Sequence, residues 1–258
     1  MGVDETAFRL PERIDAVVLA ASPNTGPLRH ASPEPFEALI PVGGEPMVAR
    51  VVRALAGARR VGRIACVGPA AVVQAAQAGV GPAQVGRVVA VAPGPGLVAN
   101  LEAGMQATQS GYVLVATADL PHLTPEAVRF LLERAPEAAL VYPIVPKERV
   151  EARFPGNRRT YARLREGTFT GGNLLLLDKA LFFQALPLAR RAVALRKNPL
   201  ALARMVGLDI LLKLLLGRLS LLEVEARAKR ILGVEARALI TPYPEVGVDV
   251  DREEDLVS

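Results

Sequence analysis

The chain predicts an α/β fold: a mostly parallel sheet with helices on both faces, plus a helical insertion toward the C-terminal end. Three patterns carry that expectation. Short apolar runs alternate with segments of helical spacing between residues 14 and 142, the rhythm of βαβ units. The run Tyr112–Ala116 is followed by a carboxylate, Asp119, before Pro121 stops the strand; ligands of open α/β sheets bind beyond the carboxyl ends of strands. Residues 179–232 are almost entirely helical in composition.

Each element follows from its own residues. Ile14–Ala20 is an apolar run suited to a central strand buried on both faces. Pro46–Ala56 has helical spacing, with Met47, Val51, Val52 and Leu55 on one side. Ile64–Val67 reads as a second strand, Ala70–Ala78 as a small-residue helix and Arg87–Val91 as a third strand. Val98–Thr108 follows as a helix with Leu101 and Met105 inward, and Tyr112–Ala116 as the fourth strand. Thr124-Pro125-Glu126 then supplies a cap and a first-turn proline for a helix over Pro125–Arg134. Ala138–Tyr142 completes the alternation. Residues 146–168, rich in Arg and Glu around Pro155-Gly156-Asn157, predict an irregular, solvated excursion. Thr170–Asp178 resumes as one strand, and residues 179–232 divide into about four helical pieces near Pro187, Pro199 and Gly207. Ala236–Thr241 and Val246–Val250 predict strands. A short closing helix starts near Asp251, with Asp251 and Glu254 at capping-box spacing. The whole chain, 1–258, is expected to form one domain with its insertion at 179–235.

Composition narrows the function classes. Of 258 residues 51% are hydrophobic, ample for a core, while only 4% are aromatic and none is Trp. Stacking on exposed bases is therefore not the strategy of this chain, and no nucleic-acid partner is expected. The net charge of +5 suits anionic small ligands. The single cysteine, Cys66, sits inside the apolar run Arg63–Val67 and reads as a buried strand residue, not a nucleophile. The N-terminal residues carry acids without an apolar h-region, and no stretch approaches ~20 uninterrupted apolar residues, so a cytoplasmic protein is expected. Leu208–Leu222 is apolar on nearly all sides, with Lys213 and Arg218 its only cations. It reads first as a buried helical subdomain or a homodimer surface. A membrane-surface helix meeting anionic headgroups is the second reading.

The turn after the first strand, Ala20-Ala21-Ser22-Pro23-Asn24-Thr25-Gly26, is small enough for close backbone approach to a ligand. It is neither a dinucleotide fingerprint nor a Walker A loop. A proline-flanked segment then returns to the Gly43-Gly44 turn. Together the segments VVLAASPNTGPLR, EALIPVGGEPMVARVVRAL, VLVATADLPHLTPEAV and VGVDVDREEDL, in that order, resemble the nucleotidylyltransferases of the molybdenum-cofactor and sugar-nucleotide type. TGGN at 170–173 is similar to the acceptor-side turn of that family. The match spans residues 14–130 and 236–256.

The resemblance implies a glycosyltransferase-A-like nucleotide-binding fold. It also implies transfer of a nucleoside monophosphate from an NTP to a small phosphate or hydroxyl acceptor, with release of pyrophosphate. Such chemistry rests on in-line alignment and charge neutralisation. By the same resemblance Asp119 and Asp251 would hold Mg²⁺, with Asp249 supporting them or ligating in their place. Ala20, Ala21 and Ser22 would lie against base and ribose, Gly94, Gly96 and Asn100 would recognise the base, and Gly171, Gly172 and Asn173 would face the acceptor. Two cations of the family pattern are displaced: Thr25-Gly26-Pro27-Leu28 stands where an Arg grips pyrophosphate, with Arg29 a little later, and Glu37 stands where a Lys is usual. Arg29 is the nearest replacement in sequence, with His30, Lys147 and Arg158 as further candidates. Two rivals follow: a catalytically weakened nucleotide sensor of the same fold, and a glycosyltransferase that consumes nucleotide sugars. The absence of an Asp-x-Asp after a mid-chain strand weighs against the glycosyltransferase.

Overall fold

A computed structural model describes residues 10–194 and 207–257. In chain order the elements are β1 (Ile14–Leu19), β2 (Pro41–Val42), β3 (Glu45–Pro46), α1 (Met47–Gly57), β4 (Val61–Val67), α2 (Ala70–Ala78), α3 (Pro82–Val85) and β5 (Val88–Val91). They continue with α4 (Leu97–Ala107), β6 (Tyr112–Thr117), α5 (Pro125–Arg134), β7 (Leu140–Pro146), α6 (Lys147–Arg153), β8 (Ala162–Leu164), β9 (Gly167–Gly171) and β10 (Leu174–Asp178). Among the described residues, the helices α7 (Lys179–Ala194), α8 (Leu208–Leu215) and α9 (Leu221–Leu232) precede β11 (Ala236–Ile240).

The main sheet runs β5-β4-β1-β6-β10-β7-β9-β8, with β11 on the other side of β7, and β2-β3 form a separate ribbon. β5, β4, β1 and β6 are mutually parallel, and β11 is parallel to β7; β10 is antiparallel to both β6 and β7, as β9 is to β7 and β8. The sheet is thus mixed: parallel in the first half of the chain, where helical crossovers separate the strands, and largely antiparallel beyond β6. β1 shows why both faces are covered. Ile14, Ala16 and Val18 enter the core beneath α1, α2 and α5. Val17 enters the core beneath α4 and α7, where Met105, Leu181, Phe182 and Leu186 lie. Period-2 alternation on a strand apolar at every position requires a layer on each side. Helix α4 approaches closely because Gly104 has no side chain; a Cβ there would stand 2.5 Å from Val17 Cγ1.

Several expectations need correction. The excursion at 146–168 is partly regular, with α6 and the β8–β9 hairpin, since Val150 and Phe154 find a core to enter. Thr170–Asp178 is not one strand: the ladder breaks at Gly172 and Asn173, whose amides bond to Pro143 O (2.9 Å) and Val246 O (2.8 Å). Pro187 lies inside α7 and does not end it; it removes the bond to the Phe183 carbonyl and crowds that carbonyl, a local cost that the helix absorbs. Pro199 lies outside the described residues. Val246–Val250 is not a strand, although its alternation survives: Val248 and Val250 are buried, and Asp249 and Asp251 point the other way. The closing turn is a 3₁₀ helix over Glu253–Val257, and the carboxylate that holds it is Asp255, which accepts from the amides of Asp251 (3.1 Å) and Arg252 (2.9 Å). The capping box occurs instead at Ser220 and Glu223, opening α9.

Other expectations match. Thr124 caps α5 and accepts from the Ala127 amide, with Pro125 in the first turn. Cys66 is buried in β4, and burial pushes its thiol up to about 12. The leucine-rich region is two helices, and it is far from wholly buried: Leu208, Leu212, Leu215, Leu216 and Leu222 are exposed, while Ile210 and Leu219 are covered. Among the described residues, no helix is long and apolar enough to cross a membrane.

Candidate active site

Three segments meet at the carboxyl end of the parallel strands. β6 ends at Thr117 and delivers Asp119. The first loop leaves β1 at Ala20 and is folded back on itself by Asn24, whose Nδ2 donates to Ser32 O (3.0 Å) and Glu34 O (2.9 Å). The third segment is the C-terminal extended stretch. Its Val250 packs with Leu28, Ile40, Val42 and Met47 in a small separate core, and its amide donates to Asp119 O (3.0 Å). Burying Val250 while its neighbours alternate turns Asp249 and Asp251 toward Asp119. The carboxylate oxygens of Asp119, Asp249 and Asp251 accordingly lie within 4.8 Å of one another.

The electrostatics of this cluster are those of crowded acids. Burial, above all, pushes the Asp119 carboxyl above its ordinary range; the Thr117 hydroxyl, which donates to it, holds it down, and the Asp251 carboxylate adds to the rise. Glu37, on the short 3₁₀ turn Glu37–Leu39, is also pushed up, first by burial and then by Asp119 and Asp251. The residue that stands where the family has a lysine therefore adds a fourth acid to the site. One cation answers it directly: Arg159 forms an ion pair with Asp249, both side chains being largely covered.

Unmet hydrogen-bonding capacity gathers around the same place. Seven buried side-chain polar atoms lack a hydrogen-bond partner among the described residues; four belong to Asn157, Arg159, Tyr161 and Asn173, while a fifth, Asp249 Oδ1, is met by its ion pair with Arg159. Buried polar groups in folded proteins are nearly all satisfied, so these four are exceptions. Asn157 donates to Asp255 Oδ1 (2.8 Å), which ties the 154–161 loop to the C-terminal turn and so positions Arg159.

The remaining sequence-predicted residues fall as follows. Ala20 is buried and bonds Val67 O (2.9 Å), Ala21 is half-buried and Ser22 exposed, along the floor of the first loop. The Arg29 guanidinium is engaged within its own loop, donating to Pro33 O (2.6 Å). Gly94 donates to Asn100 Oδ1 (2.7 Å), and Gly96 takes φ +96°, which lets it open α4. These three residues form one tied turn beyond β5. Gly171, Gly172 and Asn173 sit at the break between β9 and β10; Asn173 accepts from the Thr117 amide (3.4 Å), so this turn flanks the strand that delivers Asp119. A Cβ on Gly172 would stand 2.8 Å from Val246 Cγ1, which explains the small residue.

Sequence reasoning missed Arg159, since Arg158 and Arg159 are adjacent in a loop without periodicity. It also did not single out Arg252, which with Pro27, His30, Glu253 and Glu254 borders a cleft of about 810 Å³ between the first loop and the C-terminal turn. The only available signal for Arg252 was its place directly after Asp251.

The mixed sheet with its acidic cluster at the carboxyl rim has the α/β fold of nucleotidyltransferases. The chain matches the MobA-like NTP transferase domain over residues 16–232 and belongs to that family. A solved structure from Thermus thermophilus, described as a hypothetical transferase, is 62% identical, with a TM-score of 0.83 over 95% of this chain and 100% of its own. A nucleotidyl transferase from Methanothermobacter shares the fold at 19% identity and TM-score 0.57, covering 95% of this chain and 94% of its own. So does a 2-C-methyl-D-erythritol 4-phosphate cytidylyltransferase, also from Thermus thermophilus, at 15% identity and TM-score 0.54, covering 95% of each chain. Comparison with curated proteins finds no match.

Proposed function

We propose that this chain is an enzyme transferring a nucleoside monophosphate from an NTP to a small molecule bearing a phosphate or hydroxyl group. The acceptor oxygen forms a bond to the α-phosphorus as the bond to the β-phosphate oxygen breaks, and pyrophosphate departs; a hydroxyl acceptor also releases its proton. The observation that carries this reading is the meeting of Asp119, Asp249 and Asp251 within 4.8 Å. Packing of Val250 turns Asp249 and Asp251 toward Asp119, and the like charges so gathered face the guanidinium of Arg159.

The donor set fits a hard divalent cation. Oxygens sharing one Mg²⁺ at ~2.0–2.1 Å lie at most about 4.2 Å apart, so small side-chain rotations close the cluster. Asp119 and Asp251 would be the ligands, with Asp249 assisting. When bound, the ion would offset charge on the polyphosphate. The protein groups do the positioning. Ala20, Ala21 and Ser22 line the ribose side, Gly94, Gly96 and Asn100 the base, and Gly171, Gly172 and Asn173 the acceptor, toward which the unpaired Asn173 Nδ2 is available as a donor. Arg159 neutralises Asp249 in the resting site and turns to phosphate oxygens once its carboxylate is otherwise engaged. Arg252 and His30, across the cleft, take the place of the displaced family cations for the leaving pyrophosphate; Arg29 contributes only by giving up Pro33 O. The chain works as one NTP-transferase domain with its helical insertion at 179–235, and its need for NTP favours the cytoplasm.

Pyrophosphate release measured with each of the four NTPs, Mg²⁺ and pooled acceptor phosphates or polyols tests the activity. Asp251→Ala is expected to abolish it; full turnover in that variant removes the assigned metal site. A second reading, a nucleotide sensor with weak or no turnover, is favoured by Glu37 at the rim and by Arg29 bonded to Pro33. Thermal shifts with CTP, GTP and ATP, paired with turnover, separate the two: a sensor is stabilised without releasing pyrophosphate.

A further inference from the structure

Beside the acceptor turn lies a cavity of about 510 Å³ between the outer strands of the sheet and the pair α8–α9. Its walls are nearly all apolar, with Ile144 and Phe169 on the sheet side and Leu214, Leu219 and Val224 on the helix side. The charged groups that border it, Glu225 and Arg237, are already paired with each other at 2.8 Å. The space is open to solvent, and its volume lies in the range of small-molecule sites, about 300–1,000 Å³.

Position gives the cavity its meaning. Thr170, Gly171 and Tyr142 form one end of it. A Cβ placed on Gly247 would stand 3.1 Å from Thr170 Cγ2 and 3.3 Å from Gly171 O, and Gly247 is two residues before Asp249. The Tyr142 ring also lies within electrostatic reach of Arg159. Tyr142 and Gly171 thus connect the apolar space to the flank of the polar site. An acceptor spanning both would carry a charged or polar head at Arg159 and Asn173 and a hydrocarbon chain among the leucines.

We infer that the acceptor is an amphiphile, a phosphorylated alcohol of hydrocarbon character, whose chain occupies the cavity between β7, β9, β11 and the helices α8 and α9. This rests on the transferase reading for its head group, while the cavity itself stands on its walls. Titration calorimetry of the full chain with n-alkyl phosphates from ethyl to decyl, each below its micelle concentration, tests it. Affinity is expected to rise about fourfold per added methylene, the equivalent of ~0.8 kcal/mol, until the cavity is filled. Ala238→Trp, which places an indole in the cavity, should flatten that dependence while the thermal shift with Mg²⁺ and NTP persists. Where that variant fails to fold, Ala228→Leu on the helix wall makes the same test. A flat series in the wild type, with nucleotide binding intact, overturns the amphiphile and leaves the transferase standing; loss of nucleotide binding as well strikes the transferase reading. Sedimentation showing a dimer that Ala238→Trp dissociates assigns the face to a second copy and overturns the proposal. Binding to anionic vesicles without binding to monomeric alkyl phosphate overturns it equally.

Discussion

The sheet carries an aspartate at each rim, Asp15 buried and Asp119 half-buried, and the two are treated in opposite ways. At the amino end of β1, Asp15 is 7% exposed and accepts from three backbone amides, those of Arg63 (2.9 Å), Gln109 (2.6 Å) and Ser110 (3.2 Å). Its charge is met by fixed dipoles, and it ties the β1 start to the turn between α4 and β6. At the carboxyl end of β6, Asp119 has the Thr117 hydroxyl, two further carboxylates beside it and a guanidinium engaged by one of them. The first carboxylate draws its donors from the backbone; the second lies among its own kind, the arrangement on which the proposed cation site rests.

That contrast can be broken from either side. The largest effect is expected at the carboxyl rim: Asp119→Ala should lower pyrophosphate release by ~10²–10³ or more, with no loss in melting temperature. Because the folded environment raises the Asp119 carboxyl, its ionised form opposes folding at neutral pH, and its removal relieves that cost. A variant that is both active and less stable would reverse the assignment. Asp15→Ala should do the opposite. Three amides lose their acceptor, at a cost of about 3 kcal/mol, read from urea unfolding, while kcat per folded molecule holds.

Between the rims, Cys66 reports on the parallel core. Its thiol is pushed up to about 12 by burial, while an unfolded chain ionises near its ordinary value of 9.0. The unfolded state therefore sheds the proton first, so the stability that Cys66 contributes is complete below pH 9 and falls as pH rises from 9 toward 12, by about 1.4 kcal/mol per pH unit. The stability difference between wild type and Cys66→Ala should change across that window and stay constant below it; a difference constant throughout would mean the thiol is more accessible than its place in β4 allows. The smallest effect belongs to the helical region. Ser220→Ala removes the capping box of α9, at about 1 kcal/mol, and should hasten protease cleavage near residues 216–232 without altering Cys66 reactivity. Equal exposure of both would mean that the helices and the sheet unfold together.

The sequence was most legible where structure is local and periodic. β1, α2, α5 and the Thr124 cap are decided within a few residues of themselves, and they fall where apolar spacing and capping chemistry put them. Asp119 was legible because a carboxylate after a buried strand run marks the ligand rim. Less could be read where long-range contacts decide. Val248 and Val250 alternate like a strand, yet they lie beside Asp119 and Asn173 without a ladder to join, so alternation fixed the side-chain directions and not the secondary structure. The break at Gly172 follows from bonds to Pro143 and Val246, neither visible from TGGN itself. Arg159 could not be separated from Arg158, because only the Asn157–Asp255 bond, nearly a hundred residues away in sequence, determines which guanidinium turns inward.

The central proposal is that Asp119 and Asp251, assisted by Asp249, hold one divalent cation. Titration of Mn²⁺ followed by electron paramagnetic resonance, with NTP present, tests it most directly. One site per chain is expected, lost in Asp119→Ala and in Asp251→Ala and kept in Asp15→Ala. Unchanged Mn²⁺ binding in both carboxyl-rim variants would contradict it.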